Sequence, residues 1–513
     1  MEKARIHPSV RPTTTTSTPL SIFDATVARY TPTGAIWLFD QVPSDISETD
    51  FLDRLRSSYA NTLNDFPQWA GQLQWGPVRK DGTHTERFNR PIIVYGAETD
   101  PGVEWGVARH PSLKVKELTP SASERSSGSG AWIADGFDQT PLVSNTLLPL
   151  YNLRDYEGLP AVQVQVNLFS DGGYAISIKI AHVLADAQTL MVFMHNWAAN
   201  SRKLFHAHNT SSLMGHPVFD PAQLDAHAAG DIDAPTPDPE IITKARQLPI
   251  HRFDWWKSDA PGYPAPLIPT TENSKPPASE LAQVNLSPSD SPPWHTVDFS
   301  KPAKYTLLHY TNTEINKLKQ SAQKEGHATI SKLDVLLAHL WSTINRARGH
   351  THTPSNVVLN YTMGARARVY PPLPPSFLGS PLFITNIQMP GTTLCSTSVG
   401  DIAAKIRHTV QLFTPDVVGA VLHDAAHEVS PQRLWQGFFG NDHTLLTSWL
   451  RIGVYDVDFV GSGDRPRYVH AYMPKVDGCL QVMESGDGSG IDVALYLEGE
   501  AMKRLLVDPK LRI

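Results

Sequence analysis

His182 and Asp186 have the residue types and the spacing of a general base with a carboxylate one turn away. Apolar side chains fall on every second position from Tyr174 to Ile180, which predicts a half-buried strand that presents His182 at its end. An alternating segment at residues 161–167 is predicted to pair with this strand through a glycine turn. A helical pattern follows Asp186. Because unperturbed imidazole has a pKa near 6.5, such a histidine can accept a proton at neutral pH.

The same two residues also have a purely structural interpretation. A histidine at a strand end is commonly a hydrogen-bonded core residue, and an aspartate before a helix is commonly its N-cap. Two fixed positions in five also occur by chance. These residues alone leave both interpretations open.

Residues 182–186 (HVLAD) resemble the HxxxD motif of the BAHD-type acyl-CoA-dependent acyltransferases, and the resemblance extends along nearly the whole chain. The further similar segments occur in the order that the family has them: residues 19–24 (PLSIFD), residues 63–73 (LNDFPQWAGQL), residues 330–341 (ISKLDVLLAHLW), Arg366 and Arg368 followed by the prolines of residues 371–374 and by Gly379, and residues 447–449 (TSW) followed by residues 458–461 (DFVG).

Two positions depart from the family pattern. Ala187 replaces the glycine that usually follows the motif aspartate, and residues 458–463 read DFVGSG where the family has DFGWG. Valine has limited access to positive φ, so an altered backbone path is expected in this loop. The sequence of residues 458–463 is more similar to fungal secondary-metabolite members of the family, including trichothecene acetyltransferases, than to the plant enzymes.

The resemblance implies an α/β fold with mixed sheets, in two chloramphenicol-acetyltransferase-like domains that face each other across a solvent channel. Residues 20–205 would form the N-terminal domain that carries HxxxD, and residues 305–513 the C-terminal domain. Residues 206–304, in which proline recurs without sustained periodicity, would form the crossover segment between them. Residues 1–19, rich in threonine and proline, are predicted to be a disordered tail.

In the resembled family the motif histidine is the catalytic base. His182 would take the proton of an acceptor hydroxyl as that oxygen attacks the thioester carbonyl, and would then protonate the CoA thiolate without a covalent acyl-enzyme. Asp186 would point away from the channel and pair with Arg366, which gives it a structural role. Arg368 is expected to be a surface residue or a residue that fixes a loop.

Thr447 and Trp449 match family residues that border the acceptor and the reacting oxygen. Their alternative interpretation is a buried, β-prone segment, and the two interpretations are compatible. Asp458 and Gly461 would belong to a loop that braces the active site.

The resemblance therefore predicts an acyl-CoA-dependent O-acyltransferase, in the first instance an O-acetyltransferase that uses acetyl-CoA as co-substrate and a small natural-product alcohol as acceptor, with no bound cofactor. N-acylation or a longer acyl donor would use the same base. A carrier-dependent condensing domain and a non-catalytic binding protein on the same fold also remain open.

The composition excludes several classes of protein. The net charge of −7 is scattered, with no basic block, which argues against a nucleic-acid partner. Two cysteines exclude a disulfide framework and fit a reducing, cytoplasmic location. No apolar run is long enough to cross a membrane. We expect a monomer.

Three further patterns are not assigned to the site. His423 and His427 have zinc-ligand spacing but lack the intervening glutamate of a zinc protease, so a surface helix and no metal are predicted. His206 and His208 lie in the proline-rich stretch and are predicted to be solvated. Residues 486–490, which are glycine-rich, are predicted to form a hairpin turn.

Overall fold

The computed structural model describes residues 2–29, 32–151, 156–205, 210–212, 214–282, 284, 286–298, 300–435 and 437–513. The strands are β1 (Glu2–Ile6), β2 (Thr16–Pro19), β3 (Thr33–Phe39), β4 (Gln72–Trp75), β5 (Pro91–Tyr95), β6 (Val103–His110), β7 (Ala131–Ile133), β8 (Val162–Phe169), β9 (Tyr174–Ile180), β10 (Ala303–Thr311), β11 (Asn356–Gly364), β12 (Leu382–Pro390), β13 (His443–Ser448), β14 (Tyr468–Ala471), β15 (Cys479–Glu484) and β16 (Gly490–Glu498). The α-helices are α1 (Ile22–Thr26), α2 (Glu48–Thr62), α3 (Val115–Leu118), α4 (Ala122–Ser126), α5 (Ala187–Leu204), α6 (Pro221–Asp225), α7 (Pro239–Arg246), α8 (Ile268–Ser274), α9 (Ala278–Leu281), α10 (Asn312–Lys324), α11 (Lys332–Ala347), α12 (Gly391–Ser396), α13 (Val399–Gln411), α14 (Pro415–His427) and α15 (Gly499–Val507).

Within the described residues these strands form two large mixed sheets and a small one. The N-terminal sheet has the order β1-β6-β8-β9-β3-β14, the C-terminal sheet has the order β12-β11-β13-β15-β16-β10-β7, and β2-β5-β4 form the third. Parallel and antiparallel pairs occur in both large sheets. The predicted mixed α/β class is confirmed.

The strand that leads to the histidine is central in the N-terminal sheet. The predicted hairpin is confirmed, because β9 pairs antiparallel with β8 and on its other side with β3. The prediction of a half-buried strand is wrong, since Ala175 and Ser177 on the opposite face are buried as well. That face packs between the two large sheets, where Ala175 shares an apolar cluster with Tyr305 of β10 and Tyr496 of β16.

The helix after Asp186 covers the other face of the same sheet. The apolar positions of α5 that the pattern identified, among them Leu190, Phe193 and Trp197, are fully buried, and they share one core cluster with the isoleucines of β9. The C-terminal sheet has its own core, in which α11 contributes Leu337 and Trp341.

Two strands cross the predicted division between the domains. β7 lies within residues 20–205 but pairs with β10 at the edge of the C-terminal sheet. β14 lies within residues 305–513 but pairs with β3 at the edge of the N-terminal sheet. Each half of the chain therefore completes the sheet of the other, which joins the domains through backbone hydrogen bonds as well as through apolar packing.

The predicted disordered tail over residues 1–19 is wrong. β1 pairs with β6, and β2 pairs with β5. Lys3 lies 3.1 Å from Glu104 of β6, and Ile6 is buried. Strand addition at a sheet edge uses backbone groups, so it needs few apolar side chains and leaves little signal in the composition.

The crossover segment is anchored to the C-terminal domain by a buried arginine. The Arg433 side chain is fully buried and donates to Asp254 at 2.9 Å and to both oxygens of Glu428, each at 2.9 Å. It also donates to the hydroxyl and the carbonyl of Ser287. Asp254 and Ser287 belong to the crossover segment, and Glu428 follows α14 directly. One guanidinium therefore holds two separate parts of the crossover segment against the end of this helix.

His423 also anchors the crossover, which corrects the prediction of a surface helix for α14. Its side chain is 1% exposed; Nδ1 donates to the carbonyl of Ala229 at 2.6 Å and Nε2 accepts from the N–H of Asp238 at 3.0 Å. His427 contacts the carbonyls of His423 and Ala234. Both rings are thus committed to backbone groups, and among the described residues no group of three or more His, Cys, Asp or Glu could hold a metal ion. His206 and His208 lie outside the described residues.

A glycine-rich turn joins two neighbouring strands of the C-terminal sheet. The glycine-rich residues 486–490 connect β15 and β16, an antiparallel pair, so the predicted hairpin turn is confirmed. In the part of the chain that is described, none of the helices has the length and apolar character needed to span a bilayer.

Substitution of Arg433 tests its anchoring role. Arg433→Ala removes the buried cation that Glu428 and Asp254 share, and Asp254 alone keeps a second ion pair, with Lys257 at 2.6 Å. Because the buried carboxylate of Glu428 then lacks its ion-pair partner, we expect the free energy of unfolding to fall by about 3–5 kcal/mol. The measurement is chemical denaturation, with limited proteolysis of the crossover as a second readout. The control is Arg79→Ala, which removes an exposed ion pair to Glu86 and should change stability by less than about 1 kcal/mol. Equal stability of the two variants would contradict the anchoring role.

Candidate active site

His182 follows β9 rather than ending it. The strand ends at Ile180, the N–H of Ala181 bonds the carbonyl of Ala161, and His182 opens the 3-10 turn His182–Leu184. The turn is closed by the N–H of Ala185, which donates to the His182 carbonyl at 3.2 Å. The strand therefore delivers the imidazole to the end of the sheet, where the chain turns into α5.

A segment of the C-terminal half lies directly alongside this turn. Gly379 forms a parallel bridge with Ala185, and its carbonyl accepts from the N–H of Asp186 at 3.0 Å and from the hydroxyl of Thr189 at 2.8 Å. We call residues 377–380 the docking segment. It brings Ser380 to His182, so side chains from both halves of the chain form the site.

Ser380 makes two contacts with His182. Its hydroxyl donates to the His182 carbonyl, and the same oxygen lies 3.1 Å from the imidazole Nδ1. The ring of Trp435 packs edge-to-face against the imidazole, with centroids 5.6 Å apart and planes at 66°. No motif identifies either partner in the sequence: Gly379 belongs to a matched segment, whereas Ser380 and Trp435 lie outside all of them.

The surroundings of His182 favour the neutral imidazole. The ring keeps some accessible surface, yet the protein atoms packed around it remove most of its hydration, and this desolvation lowers the pKa of His182 below 6.5. The ring's hydrogen bond to its own carbonyl and the charge of Asp186 act in the opposite direction and are weaker. A neutral imidazole carries one N–H and one lone pair, which is the state a general base requires.

Asp186 and Arg366 form a buried bidentate ion pair. Arg366 Nη1 lies 2.5 Å from Asp186 Oδ2, and Nη2 lies 3.0 Å from Oδ1. Asp186 is also the N-cap of α5, accepting from the N–H of Thr189 at 2.8 Å, and Arg366 also donates to the carbonyl of Phe377 at 2.9 Å. The pair thus joins the start of α5 to the docking segment. Both carboxylate oxygens are engaged away from the imidazole.

Arg368 has a local role. It is partly buried and donates to the carbonyl of Gly364 at 2.9 Å, which fixes the end of β11. This contact agrees with the loop-fixing role expected of it.

Asp24, the last residue of the matched segment 19–24, holds Ser380 from the other side. Its Oδ1 accepts from the N–H of Ser380 at 2.5 Å, and its Oδ2 accepts from the N–H and hydroxyl of Ser21 in a capping box of α1. Burial raises the pKa of Asp24 to about 7. A side chain at Gly379, which has a φ of 111°, would place its Cβ 2.8 Å from this carboxylate, so only glycine fits.

Thr447 and Trp449 lie at and just after the end of β13, which runs parallel to both β11 and β15. Trp449 is 4% exposed, its N–H bonds the carbonyl of Val482, and its ring joins the core cluster around α5. Thr447 is half-buried. Within the described residues the hydrogen-bond partners of the imidazole do not include either residue. The structural interpretation therefore applies to Trp449, and a role beside the acceptor stays a prediction for both.

Asp458 organises its loop through backbone hydrogen bonds. Its carboxylate accepts from the N–H groups of Val460 at 3.1 Å, Gly461 at 2.8 Å and Gly463 at 2.9 Å. In this loop Gly461 and Gly463 have positive φ, at 82° and 81°, and Val460 does not. A path that differs from that of the family stays a prediction. Phe459 packs edge-to-face on Trp197 of α5, with ring centroids 4.7 Å apart. The loop braces the helix that follows the motif.

Comparison with known proteins relates the whole chain to acyltransferases. A family model described as the Transferase family matches residues 137–511. The chain is 27% identical to an acyltransferase of Alternaria alternata, AFT15-1, over 99% of this chain and 96% of that protein. Its fold is similar to that of vinorine synthase, with a TM-score of 0.63 and 16% identity over 98% and 95% of the two chains. It is also similar to TRI101 of F. sporotrichioides, solved in complex with coenzyme A and T-2, with a TM-score of 0.64 and 14% identity over 96% and 98%.

These full-length similarities confirm the predicted two-domain architecture. The family model matches more than two thirds of the chain. The protein therefore belongs to the Transferase family of BAHD-type acyltransferases and is itself an acyltransferase.

Proposed function

We propose that the protein transfers an acyl group, in the first instance acetyl, from CoA to a hydroxyl of a small natural product, with His182 as general base. The observation that carries the proposal is the imidazole itself. Its pKa is lowered by desolvation, and its Nδ1 is occupied by the hydroxyl oxygen of Ser380 at 3.1 Å. Nε2 is then the nitrogen left to accept a proton.

The proposed reaction balances without a covalent intermediate. His182 Nε2 removes the proton of the acceptor hydroxyl while that oxygen forms a bond to the thioester carbonyl carbon. The tetrahedral intermediate collapses, the carbon–sulfur bond breaks, and the imidazolium gives its proton to the CoA thiolate. Binding both substrates together replaces the covalent step, because holding the reactants in position supplies much of the required acceleration.

Other residues have supporting roles in this proposal. Thr447 and Trp449 are candidates for bordering the acceptor and for donating to the oxyanion, whose stabilisation is commonly the largest electrostatic contribution in acyl transfer. Asp186 and Arg366 hold the turn of His182 against the docking segment. Asp458 and Gly461 maintain the loop that supports α5. No step requires a bound cofactor or metal.

The acyl donor and the acceptor class are the finer parts of the proposal. TRI101, a relative in fold, was solved with coenzyme A, which supports acyl-CoA as the co-substrate. N-acylation and a longer acyl donor would use the same neutral base, and the length of the donor is decided by the panel of thioesters below. A non-catalytic binding protein would gain nothing from a buried imidazole kept neutral at the junction of two halves of the chain.

Release of CoA thiol tests the proposal without knowledge of the acceptor. We expect purified protein to hydrolyse one of a panel of acyl-CoA thioesters slowly, with acetyl-CoA preferred. His182→Ala should reduce this rate at least about 10²-fold, because it removes the proton acceptor. The control is His408→Ala, an exposed position on α13, together with the melting temperature of both variants. A His182→Ala variant with near wild-type turnover would remove His182 as the base.

Turnover is expected to fall at low pH, where His182 becomes protonated. The base must be neutral, and desolvation lowers the pKa of His182, so kcat/KM should be constant at neutral pH and fall only as the pH drops below the ordinary imidazole value of 6.5. The measurement is kcat/KM for acyl-CoA between pH 5 and 9, with protein stability followed in parallel. A fall in kcat/KM that begins above pH 7 as the pH is lowered would contradict the prediction that the imidazole is desolvated and neutral.

Asp186→Asn tests the structural role of the ion pair. It leaves the buried guanidinium of Arg366 uncompensated, so we expect lower activity together with a loss of about 3–5 kcal/mol of unfolding free energy. Adding Arg366→Gln removes the orphaned charge and should recover part of the stability. Loss of activity in Asp186→Asn at an unchanged melting temperature would instead give Asp186 a direct role in the chemistry.

A further inference from the structure

We propose that Ser380 is a positioning residue that fixes the tautomer and the orientation of His182. The inference rests on the proposed function of His182 as a base. It identifies the residue that makes Nε2, rather than Nδ1, the nitrogen that accepts the proton. Ser380 is fully buried and reaches His182 from a segment 198 residues further along the chain.

The hydroxyl of Ser380 has a single proton to donate. Ser380 Oγ donates that proton to the carbonyl of His182. Toward Nδ1, 3.1 Å away, the same oxygen can therefore only accept. An accepting oxygen at this distance requires a hydrogen on Nδ1, and a neutral imidazole then has its lone pair on Nε2.

Ser380 can impose this arrangement because its backbone is fixed independently of His182. Its N–H is held by the carboxylate of Asp24, and Gly379 before it is bonded to Asp186 and Thr189. The docking segment is also held at Phe377 by Arg366. The hydroxyl thus has a defined position before the imidazole is placed, which is what orientation of a base by its surroundings requires.

The contact gains strength as the reaction proceeds. When Nε2 takes a proton the ring becomes imidazolium, and the bond from Nδ1–H to Ser380 Oγ becomes charge-assisted. Ser380 therefore stabilises the protonated form more than the neutral form. Loss of the hydroxyl should lower both the rate of proton transfer and the pKa of His182, whereas a residue that only supports the backbone would leave the pKa unaffected.

The experiment compares three variants in His182-dependent hydrolysis of acetyl-CoA. We expect Ser380→Ala to lower kcat about tenfold, the effect of one charge-assisted hydrogen bond, with KM for acetyl-CoA unchanged. In this variant the fall of kcat/KM at low pH, which we call the ionisation limb, should move to lower pH. Ser380→Thr keeps the hydroxyl, so its ionisation limb should lie at the same pH as that of the wild type. Thr189→Val loosens the docking segment at Gly379 without touching the imidazole; it should lower the melting temperature and leave the limb in place.

A second readout does not depend on turnover. In protein labelled with ¹⁵N and ¹³C at histidine, the signals absent from His182→Gln identify His182. We expect the wild type to show hydrogen on Nδ1, and the pKa of His182 to be lower in Ser380→Ala. The inference is overturned if wild-type His182 carries its hydrogen on Nε2, or if Ser380→Ala and Thr189→Val move the limb equally. If His182→Ala retains wild-type hydrolysis, the proposed function fails instead, and the tautomer is still decided by these spectra.

Discussion

The buried ion pair between Asp186 and Arg366 is the interaction on which the site depends. Removing two charges from water costs several kcal/mol for each ion, and a pair recovers this only when its remaining hydrogen-bonding capacity is used. Here it is used: Asp186 caps α5, and Arg366 also donates to Thr189 and to the carbonyl of Phe377. The same groups that neutralise each other therefore define where the docking segment lies against α5. Ser380 then reaches the imidazole as a consequence of the backbone path between Phe377 and Gly379.

The sheets place this ion pair where both halves of the chain must contribute. Burial on both faces of β9 follows from the apolar layer between the two large sheets, and the exchanged edge strands β7 and β14 fix how those sheets face each other. A site at such a junction needs no flexible loop to bring its parts together. Phe459, in the loop organised by Asp458, packs against α5. The turn of His182 is therefore held both by the helix that follows it in the chain and by segments of the other half of the chain.

The sequence predicted those parts of the molecule whose signal is local. Periodicity identified β9 and α5, because side-chain burial repeats along each element, and the motif matches identified His182, Asp186 and Arg366. Strands β1, β7 and β14 were not predicted as parts of these sheets, since an edge strand is held by backbone hydrogen bonds that carry no side-chain pattern. The half-buried pattern expected for β9 was wrong because sequence alone does not show what covers the second face. Ser380 and Trp435 were missed because their significance arises only from a contact between residues far apart in the chain.

A hydroxyl, rather than a carboxylate, beside Nδ1 suits the proposed reaction. In a serine–histidine–aspartate triad the carboxylate stabilises the imidazolium and helps to activate a hydroxyl nucleophile. In the proposed reaction the imidazolium must then release its proton to a thiolate, and thiols have a pKa near 8.5. An imidazolium whose pKa is lowered by burial is a stronger acid than the thiol, so this transfer is downhill. A carboxylate against Nδ1 would raise the imidazole pKa and reduce that advantage. In the proposed mechanism Asp186 is engaged by Arg366, and Ser380 takes the place of a carboxylate at the ring. The base would then be oriented by a neutral hydroxyl, which does not raise the imidazole pKa as a carboxylate would.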